Sequence, residues 1–491
     1  MAVTFFFLVL FFSDVLLAYD RKLKFQQLYK LLNVNCIWYC EGQPTENLQK
    51  LQEILSSAIY HGLDPESYKL PNSANPEFAT TDMFINLAHH LYYGRVRPSD
   101  IYKELNLPHK PYIVPQVLTT LIREGRLEDF FSELAPKNRD YWFLVEQAKF
   151  YNDLSAFEWR PIRIAKPLRY GDKSPCLDEI RFRLFLLGDL QEYNPSESFD
   201  DALLQGVKNF QRRHGLPENG LIDQKTLAEL NVSPKDRLRQ IYLNLEKHRW
   251  LPEDFKRAVV VNVPSFELFL IEGSIKLHSK VIVGRNYIKD FRPTPMLYSR
   301  IESITINPKW YVPVSISTKD ILPKVKKNPE YLARKGFRVF LGEEEIDPLQ
   351  VDWSQYNERN FPFRLVQEPG GRNALGVIKF NFPNPFAVYL HDTPERHLFN
   401  HTKRAYSSGC IRVEKARQLA ISLLGEGWND RRLENLIKSG QTQTLRVNPP
   451  VPIYILYFTA FERNGMIHFR EDLYGYDTIL SRALFRTGGR R

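Results

Sequence analysis

The sequence predicts a multidomain α+β protein with a helical first half and a mostly β second half. At 491 residues, the chain is long enough for about three domains. Apolar residues recur at helical spacing over residues 47–60 and again over residues 141–154. From Ala258 onward the pattern alternates, as in AVVVNVPSFELFLIEG, and it is rich in β-branched and aromatic residues. Such alternation favours strands.

The composition is that of a soluble globular protein, with 43% hydrophobic and 25% charged residues. The net charge of +10 and a pI of about 9.1 indicate an anionic partner. The chain has no basic run and no nucleic-acid-binding motif, so nucleic acid is not expected to be that partner. Anionic wall polymers and membrane surfaces both remain compatible with the charge.

Residues 1–18 indicate in which compartment the protein is located. The apolar run Phe5–Phe12 resumes at Val15–Ala18, and it is too short to span a bilayer, which takes about 20 residues. We therefore expect a secretory signal peptide cleaved near Ala18. Asp14 interrupts the apolar run and no cation precedes Arg21, so two alternatives stay open. These are an uncleaved anchor, giving membrane association through the N-terminus, and a wrongly chosen start codon.

The region from about residue 19 to 166 is predicted to be helical. The predicted helices cover residues 47–60, 87–94, 126–134 and 141–154, with breaks at glycines and prolines. Cys36 and Cys40 would be able to pair in an oxidising compartment, and a reduced pair is the equal alternative. Two cysteines without a histidine at suitable spacing do not predict a metal site.

A second helical module follows over residues 168–232. Helices are predicted at residues 180–187 and 200–214, and the turn Pro217–Gly220 precedes a third helix that begins at about Gln224.

The β-rich half contains one interruption and a separate tail. Residues 319–372 include DILPKVKKNPEYLARKGFRVF, which predicts helices. Two further helices are expected at residues 416–424 and 430–439. In the tail, strands at residues 453–458 and 466–469 flank Asn464-Gly465, a strong hairpin pattern. We expect this hairpin to pair with the sheet of the β-rich half.

The chemistry is predicted to lie between His391 and Val413. The apolar run Phe386–Leu390 predicts a buried strand that ends at His391, and Cys410 follows between Gly409 and Ile411. A thiol is a strong nucleophile only as a thiolate, which a nearby imidazole or cation favours. The alternative is a buried structural cysteine beside an ordinary histidine at a strand end.

Several neighbours of Cys410 are candidates for supporting roles. The backbone N–H groups of Ser408, Gly409 and Cys410 would be able to stabilise an oxyanion at an attacked carbonyl. Arg404 and Arg412 would be able to hold a thiolate or a substrate carboxylate, as would Lys403. Tyr389 shares a strand face with His391 by its period of two, and it would position either group or pack as a core aromatic.

The segments HDTP, LFN and RAYSSGCIRV resemble the active-site signature of the L,D-transpeptidases, the cysteine enzymes that cross-link peptidoglycan. The resemblance implies that Cys410 is the nucleophile and His391 the proton donor and acceptor. It also implies substrate-binding roles for Arg412, Tyr389 and Arg404. Ser408 stands where many members carry a second histidine, so we expect no second imidazole.

The resemblance extends over nearly the whole chain, from about Leu28 to Arg486. Within the family, the chain is similar to the long periplasmic branch. HGLDPESY and YYGRVRP resemble that branch's scaffold domain, and FQRRHGLPENGLIDQKTLAELN resembles a three-helix peptidoglycan-binding module. A helical spacer without glycan binding is the alternative for that module. VIVGR and NPKWYVP are similar to motifs of the catalytic domain. Residues 319–372 resemble its capping insertion. The alternative is that this insertion only stabilises the fold.

These matches imply a division of the chain. It would comprise a signal peptide or anchor (1–18), a helical scaffold domain (19–166), a peptidoglycan-binding-like domain (168–232), a mostly β catalytic domain (238–440) with a helical cap (319–372), and C-terminal strands packing on it (441–491).

The implied reaction is acyl transfer through a Cys410 thioester. A tetrapeptide stem would lose D-Ala, and the diaminopimelate amine of a second stem would complete a 3→3 cross-link. No metal or other cofactor is required. The implied location is the periplasm of a Gram-negative bacterium, where other wall-synthesis enzymes would be partners. The alternatives are an L,D-carboxypeptidase with water as acceptor and a non-catalytic wall-binding protein. A papain-like protease is disfavoured because its cysteine precedes its histidine.

Overall fold

The computed structural model describes residues 27–103, 105–252 and 255–485. The predicted signal peptide or anchor lies outside the described residues. Within them, none of the helices combines the length and the apolar character that crossing a bilayer requires.

The first domain is a helical layer with its own apolar core, as the sequence predicts. The predicted helix at 141–154 is observed as Arg139–Leu154, and the Asn138 side chain caps it by accepting from the Tyr141 N–H at 2.8 Å. Cys36 and Cys40 form a disulfide beside a two-residue hairpin, so the paired alternative is the observed one. The helices are Glu46–Ser57, Pro76–Tyr93, Pro98–Ile101, Val114–Arg123, Phe130–Leu134 and Arg139–Leu154, with 3-10 turns at Ala58–His61, Pro65–Tyr68 and Leu127–Asp129, and the strands are Tyr39–Cys40 and Gln43–Pro44.

The second module contains the three predicted helices around a separate core. Asp200 and Asp223 begin the second and third helices, where each carboxylate accepts a backbone N–H of the first turn. Asp223 stands where the resembling module usually has glycine, and this capping bond is a physical reason for the exchange. The helices are Cys176–Leu186, Asp201–Arg213 and Gln224–Leu230.

A long helix, Pro234–Trp250, connects the module to the second half, and we call it the linking helix. It is buried along most of its length. Leu238, Ile241 and Leu245 belong to the core of the first domain, whereas Leu243 and Trp250 belong to the core of the second half.

The second half is built on one nine-stranded sheet, which we call the main sheet. In spatial order its strands are Ala405–Ser407, Ser274–Gly284, Ile411–Val413, Leu390–His391, Ile378–Asn381, Leu297–Ile306, Gln443–Leu456, Arg257–Asn262 and Glu267–Glu272. The last strand also pairs with Ser274–Gly284, which closes the sheet on itself. Two strands, Asn286–Tyr287 and Asp290–Phe291, form a small separate hairpin. The helices of this half are Ala416–Leu424, Asp430–Lys438 and Tyr476–Leu484.

The strand predicted at Phe386–Leu390 is shorter than expected, because only Leu390–His391 is paired. Asn384 accepts hydrogen bonds from the N–H groups of Phe386 and Val388 and so holds a turn there. Ala387 has a positive φ of 52° and Phe386 is exposed. The apolar composition of this segment therefore predicted a longer strand than the one observed.

The predicted turn at Asn464-Gly465 and the predicted strand Met466–Phe469 are confirmed, with positive φ at both turn residues. Most of the predicted first strand, 453–458, belongs instead to Gln443–Leu456, which pairs with the main sheet as expected. The observed hairpin pairs Ala460–Arg463 with Met466–Phe469. The two strands form a ribbon of their own, and Ile467 packs into the core of the first domain. Only the preceding strand, Gln443–Leu456, joins the main sheet.

Residues 310–372 form a separate layer, the cap, with an apolar core of its own. The predicted helices are present, but the segment GFRVF is a strand, because Phe337 and Val339 alternate into the core of the cap. The helical elements are Val314–Ile316, a π turn at Ser317–Ile321, Leu322–Lys327, Tyr331–Arg334 and 3-10 turns at Pro348–Gln350 and Trp353–Gln355, and the sheet is formed by Glu344–Ile346, Phe337–Leu341, Phe363–Gln367 and Trp310–Tyr311.

Candidate active site

Strand register brings the candidate residues together on one face of the main sheet. Strand Leu390–His391 pairs in parallel with Ile411–Val413, so that His391 lies opposite Arg412. On its other side His391 lies opposite Lys379. Because side chains alternate along strands, the residues two positions before His391 and Arg412 fall on the same face. Tyr389 and Cys410 are such residues, and both line the same cleft as His391.

Cys410 is partly exposed at the bottom of a cleft. Burial of the sulfur raises the pKa of the thiol above its usual value. The backbone N–H and the hydroxyl of Tyr389 oppose this shift, as do the positive charges of Lys379 and Arg412. Tyr389 is thus a neighbour of the sulfur, with its ring 5.6 Å from that of His391. At neutral pH the resting residue is a thiol.

His391 is 5% exposed, and its Nδ1 lies 2.5 Å from the carbonyl oxygen of Asp392. Because a carbonyl only accepts, the neutral ring carries its hydrogen on Nδ1 and keeps a lone pair on Nε2. Burial and the positive charges of Arg412 and Lys379 together lower the pKa of His391 to about 3, although the hydrogen bond to Asp392 opposes the shift. Among the described residues, no hydrogen bond joins this ring to the Cys410 sulfur. Both pKa shifts favour the uncharged forms of the two side chains.

The turn before the cysteine is held by Ser407. Its hydroxyl donates to the Cys410 carbonyl at 2.5 Å and accepts the Gly409 N–H at 3.1 Å. The predicted use of the Gly409 N–H for an oxyanion conflicts with this bond, because the donor is already engaged. Gly409 has a φ of 114°, and a Cβ atom there would meet only ordinary contacts. Its conformation, rather than lack of space, therefore requires glycine.

Ser408 occupies the place of the second histidine, and it joins a charged network instead of the sulfur. Its hydroxyl oxygen lies 2.6 Å from Arg285 Nη2 and 3.1 Å from Arg292 Nη1. Asp320 of the cap binds Arg292 through both carboxylate oxygens, at 2.6 and 3.0 Å. The network connects the cap to the segment that carries Cys410.

The two arginines predicted to bind substrate differ in position. Arg412 lines the cleft and forms an ion pair with Glu395 at 2.6 Å. Arg404 is buried and donates to four backbone carbonyls, including those of Val281 and Phe266. Its expected substrate contact conflicts with this position, because the guanidinium is already bonded and the residue does not line the cleft. Lys403 pairs with Glu471.

The cleft has a volume of about 370 Å³ and lies between the main sheet and the cap. Tyr389, His391, Ser408, Cys410 and Arg412 form one wall, and the cap forms the other. The lining residues of the cap include Trp310, Lys324, Tyr331, Lys335, Gln367 and Arg372.

Sequence reasoning missed Lys379 and Asp320. The ammonium of Lys379 lies 4.3 Å from the centre of the Tyr389 ring. Alternation in the strand Ile378–Asn381 was the available indication that Lys379 shares a face with His391. Asp320 lies outside any motif, and only the three-dimensional structure brings it to Ser408.

Three family models match the chain in the order that its architecture follows. A scaffold domain matches residues 24–147, a "putative peptidoglycan binding domain" matches residues 182–230, and an L,D-transpeptidase catalytic domain matches residues 256–432. The last match contains the strand-paired residues, the cleft and the cap. The chain is therefore similar, in order, to a scaffold domain, a peptidoglycan-binding domain and an L,D-transpeptidase catalytic domain.

A "putative L,D-transpeptidase" of Haemophilus influenzae is 38% identical to this chain over 261 residues. That match spans 52% of this chain and 51% of the relative, about half of each protein. Crystal structures of L,D-transpeptidases from Xylanimonas cellulosilytica and Stackebrandtia nassauensis match at 12% identity, with TM-scores of 0.18 and 0.21. They cover 60% and 61% of this chain, and 100% and 97% of their own lengths. Scores this low support no argument about the fold.

Proposed function

We propose that the protein is a peptidoglycan L,D-transpeptidase that forms 3→3 cross-links between stem peptides through a thioester at Cys410. The observation that carries the proposal is that Cys410, directly before the strand Ile411–Val413, and His391, on the neighbouring strand, line one cleft between the main sheet and the cap. The match of residues 256–432 to an L,D-transpeptidase catalytic domain supports the same reaction class.

In the first step, the thiol of Cys410 attacks the carbonyl of the third residue of a tetrapeptide stem. His391 receives the thiol proton on Nε2 as the sulfur–carbon bond forms, because the ring is neutral and its Nδ1–H is held by Asp392. The positive charges of Lys379 and Arg412 stabilise the developing negative charge of the sulfur.

The tetrahedral intermediate carries an oxyanion. Since the Gly409 N–H donates to Ser407, we assign the oxyanion to the backbone N–H groups of Ser408 and Cys410. Collapse of the intermediate breaks the amide bond, and the imidazolium of His391 protonates the leaving amine of D-Ala. The stem remains bound as a thioester.

In the second step, the amine of the third residue of another stem attacks the thioester carbonyl. His391 accepts the proton of that amine, the new amide forms, and the Cys410 sulfur leaves and regains a proton. The cap favours an amine over water by covering the cleft. A cap that admits water would make the protein an L,D-carboxypeptidase, which is the second candidate.

The remaining domains fit a function in cell wall biogenesis and cell shape. The module of residues 168–232 would hold the enzyme on its polymeric substrate. We propose the periplasm as its compartment, where the Cys36–Cys40 disulfide is favoured.

The test is mass spectrometry of the full-length protein incubated with muropeptides that carry tetrapeptide stems, beside the Cys410→Ala variant. We expect a 3→3 dimer and free D-Ala from the wild type, and neither from the variant. Tripeptide without dimer would identify a carboxypeptidase. No product from either protein, with binding to isolated peptidoglycan retained, would leave a non-catalytic wall-binding protein.

A further inference from the structure

We infer that Lys324, Lys335 and Arg372 of the cap form a carboxylate-binding subsite that selects stem peptides by their free carboxylates. This inference rests on the proposed function and adds the chemistry by which the cap recognises the donor. The three residues lie in the cap wall of the cleft, across from Cys410.

The charge balance of the cleft singles out these cations. Five cationic and two acidic side chains line it. The two acids are already paired, Asp320 with Arg285 and Arg292, and Glu395 with Arg412. Three positive charges on the cap wall therefore remain without a carboxylate within the described residues. Their field favours an anionic ligand.

A buried amide joins the two backbone segments that carry Lys335 and Arg372. Gln367 is 3% exposed, and its Nε2 donates to the carbonyls of Lys335 at 2.8 Å and Arg372 at 3.2 Å. Its Oε1 accepts the Ala374 N–H at 2.9 Å, so the amide is fully used in joining these segments. Two cations on joined segments that line the same cleft repel one another, and a bound carboxylate would offset that repulsion.

Arg372 is fixed further by its contacts with the neighbouring turn. Its Nη1 donates to the Arg334 carbonyl at 3.3 Å, and a Cβ atom at Gly336 would lie 3.4 Å from its Nε. Gly336 also has a φ of 71°, which favours glycine. The guanidinium therefore has a defined place at the edge of the cleft.

The outer surface of the cap shows the opposite arrangement. Cations there pair with nearby acids, as in Arg338 with Glu345, Arg334 with Glu330, and Lys319 with Glu358. Acidic residues are thus plentiful in the cap, yet within the described part of the chain none pairs with the three cleft cations. Lys324 instead lies 5.6 Å from the centre of the Tyr331 ring.

A tetrapeptide stem suits this subsite because it presents several free carboxylates on a flexible chain. Cationic side chains bind such groups through charge-assisted hydrogen bonds. A stem whose side carboxylates are amidated keeps its shape and loses this attraction. The subsite therefore predicts discrimination against amidated stems, which a cap that only excludes water would not produce.

The test is calorimetric titration of a free tetrapeptide and of its amidated counterpart into the Cys410→Ala variant, which prevents turnover. We expect the Lys335→Gln and Arg372→Gln pair of substitutions to weaken binding of the free tetrapeptide by about fivefold. Binding of the amidated peptide should stay the same. Lys327→Gln is the matched control, since it removes an exposed lysine of the same cap outside the cleft.

The outcomes separate the two proposals. Equal weakening for both peptides, or no weakening for either, would overturn the subsite while leaving turnover by the wild type intact. Absence of tetrapeptide binding and of turnover in the wild type would instead overturn the proposed function. The pair Lys335→Arg and Arg372→Lys keeps both charges, and it should restore most of the affinity if charge is what the subsite supplies.

Discussion

The two walls of the cleft are built by different means. On the main sheet, His391 is fixed by strand partners on both sides and is almost fully buried. On the cap, Lys324, Lys335 and Arg372 lie on a short helix and on loops and are exposed. Strand pairing holds a residue in a narrowly defined position, whereas exposed cations act over longer distances. We therefore expect changes on the sheet wall to lower kcat and changes on the cap wall to raise KM.

Among the substitutions that test this difference between the two walls, His391→Gln is expected to have the largest effect on the rate. Loss of the base should lower kcat by about a hundredfold to ten-thousandfold. KM should change little, because the ring contacts its neighbours rather than the remote parts of the stem. The measurement is steady-state kinetics of D-Ala release, and a change confined to KM would contradict the assignment.

The acidic limb of the pH profile tests the same residue. Because the pKa of His391 is lowered to about 3, the base stays unprotonated as the pH falls through the usual histidine pKa of about 6.5. We expect no loss of kcat/KM in that range. A decrease centred near the usual value would show that the ring is less buried than described.

Asp320→Asn tests the connection between the walls. The substitution removes the charge that holds Arg285 and Arg292 beside Ser408. We expect kcat/KM to fall by about tenfold, because the segment that carries Cys410 loses its support. Asp320→Glu should recover part of the rate. An unchanged rate at an unchanged melting temperature would show that the network does not position the nucleophile.

Lys379→Met should have a smaller effect, on the reactivity of the thiol. A positive charge near a sulfur favours the thiolate, so removing the charge raises the pKa of Cys410. Alkylation of Cys410 by iodoacetamide should therefore slow by about fivefold at neutral pH and shift to higher pH. Lys379→Arg keeps the charge and serves as the control. Coincident alkylation profiles for all three proteins would exclude this role.

The smallest effect is expected for Lys319→Gln, the neighbour of Asp320. Lys319 forms an exposed ion pair with Glu358 at 3.8 Å on the outside of the cap. Exposed pairs contribute little to stability, so kinetics and the melting temperature should both stay close to the wild type. A loss of activity as large as that of Asp320→Asn would mean that the cap responds to any change of charge.

The sequence was sufficient for the candidate nucleophile and base, because Cys410 and His391 lie in one distinctive stretch. Helical periodicity also located most helices of the first domain and the three of the second module. Lys379 and Asp320 were not predicted, because their neighbourhood depends on strand register and on the placement of the cap. The expected substrate contact of Arg404 conflicts with its burial and its bonds to four carbonyls, which closeness in sequence to Cys410 does not reveal.

Tertiary context also explains the elements that were wrong. The segment GFRVF follows a helix and was assigned to it, although its alternating aromatic and β-branched residues suit a strand. The tail hairpin was correct in its turn and in its second strand, but its first strand is Ala460–Arg463, whereas the predicted segment 453–458 overlaps a strand of the main sheet. Local residues determine a turn, whereas the surface against which the hairpin packs is determined by distant parts of the chain.

The linking helix has a thermodynamic consequence. Ile241 packs with the first domain, while Leu243, two positions later in the same helix, packs with the second half. If either domain unfolds, the other loses the part of its apolar core that the linking helix provides. Their unfolding transitions should therefore merge, and a ligand in the cleft should raise the temperature at which the scaffold helices melt. Substrate binding would thereby be communicated to a domain that lies outside the cleft.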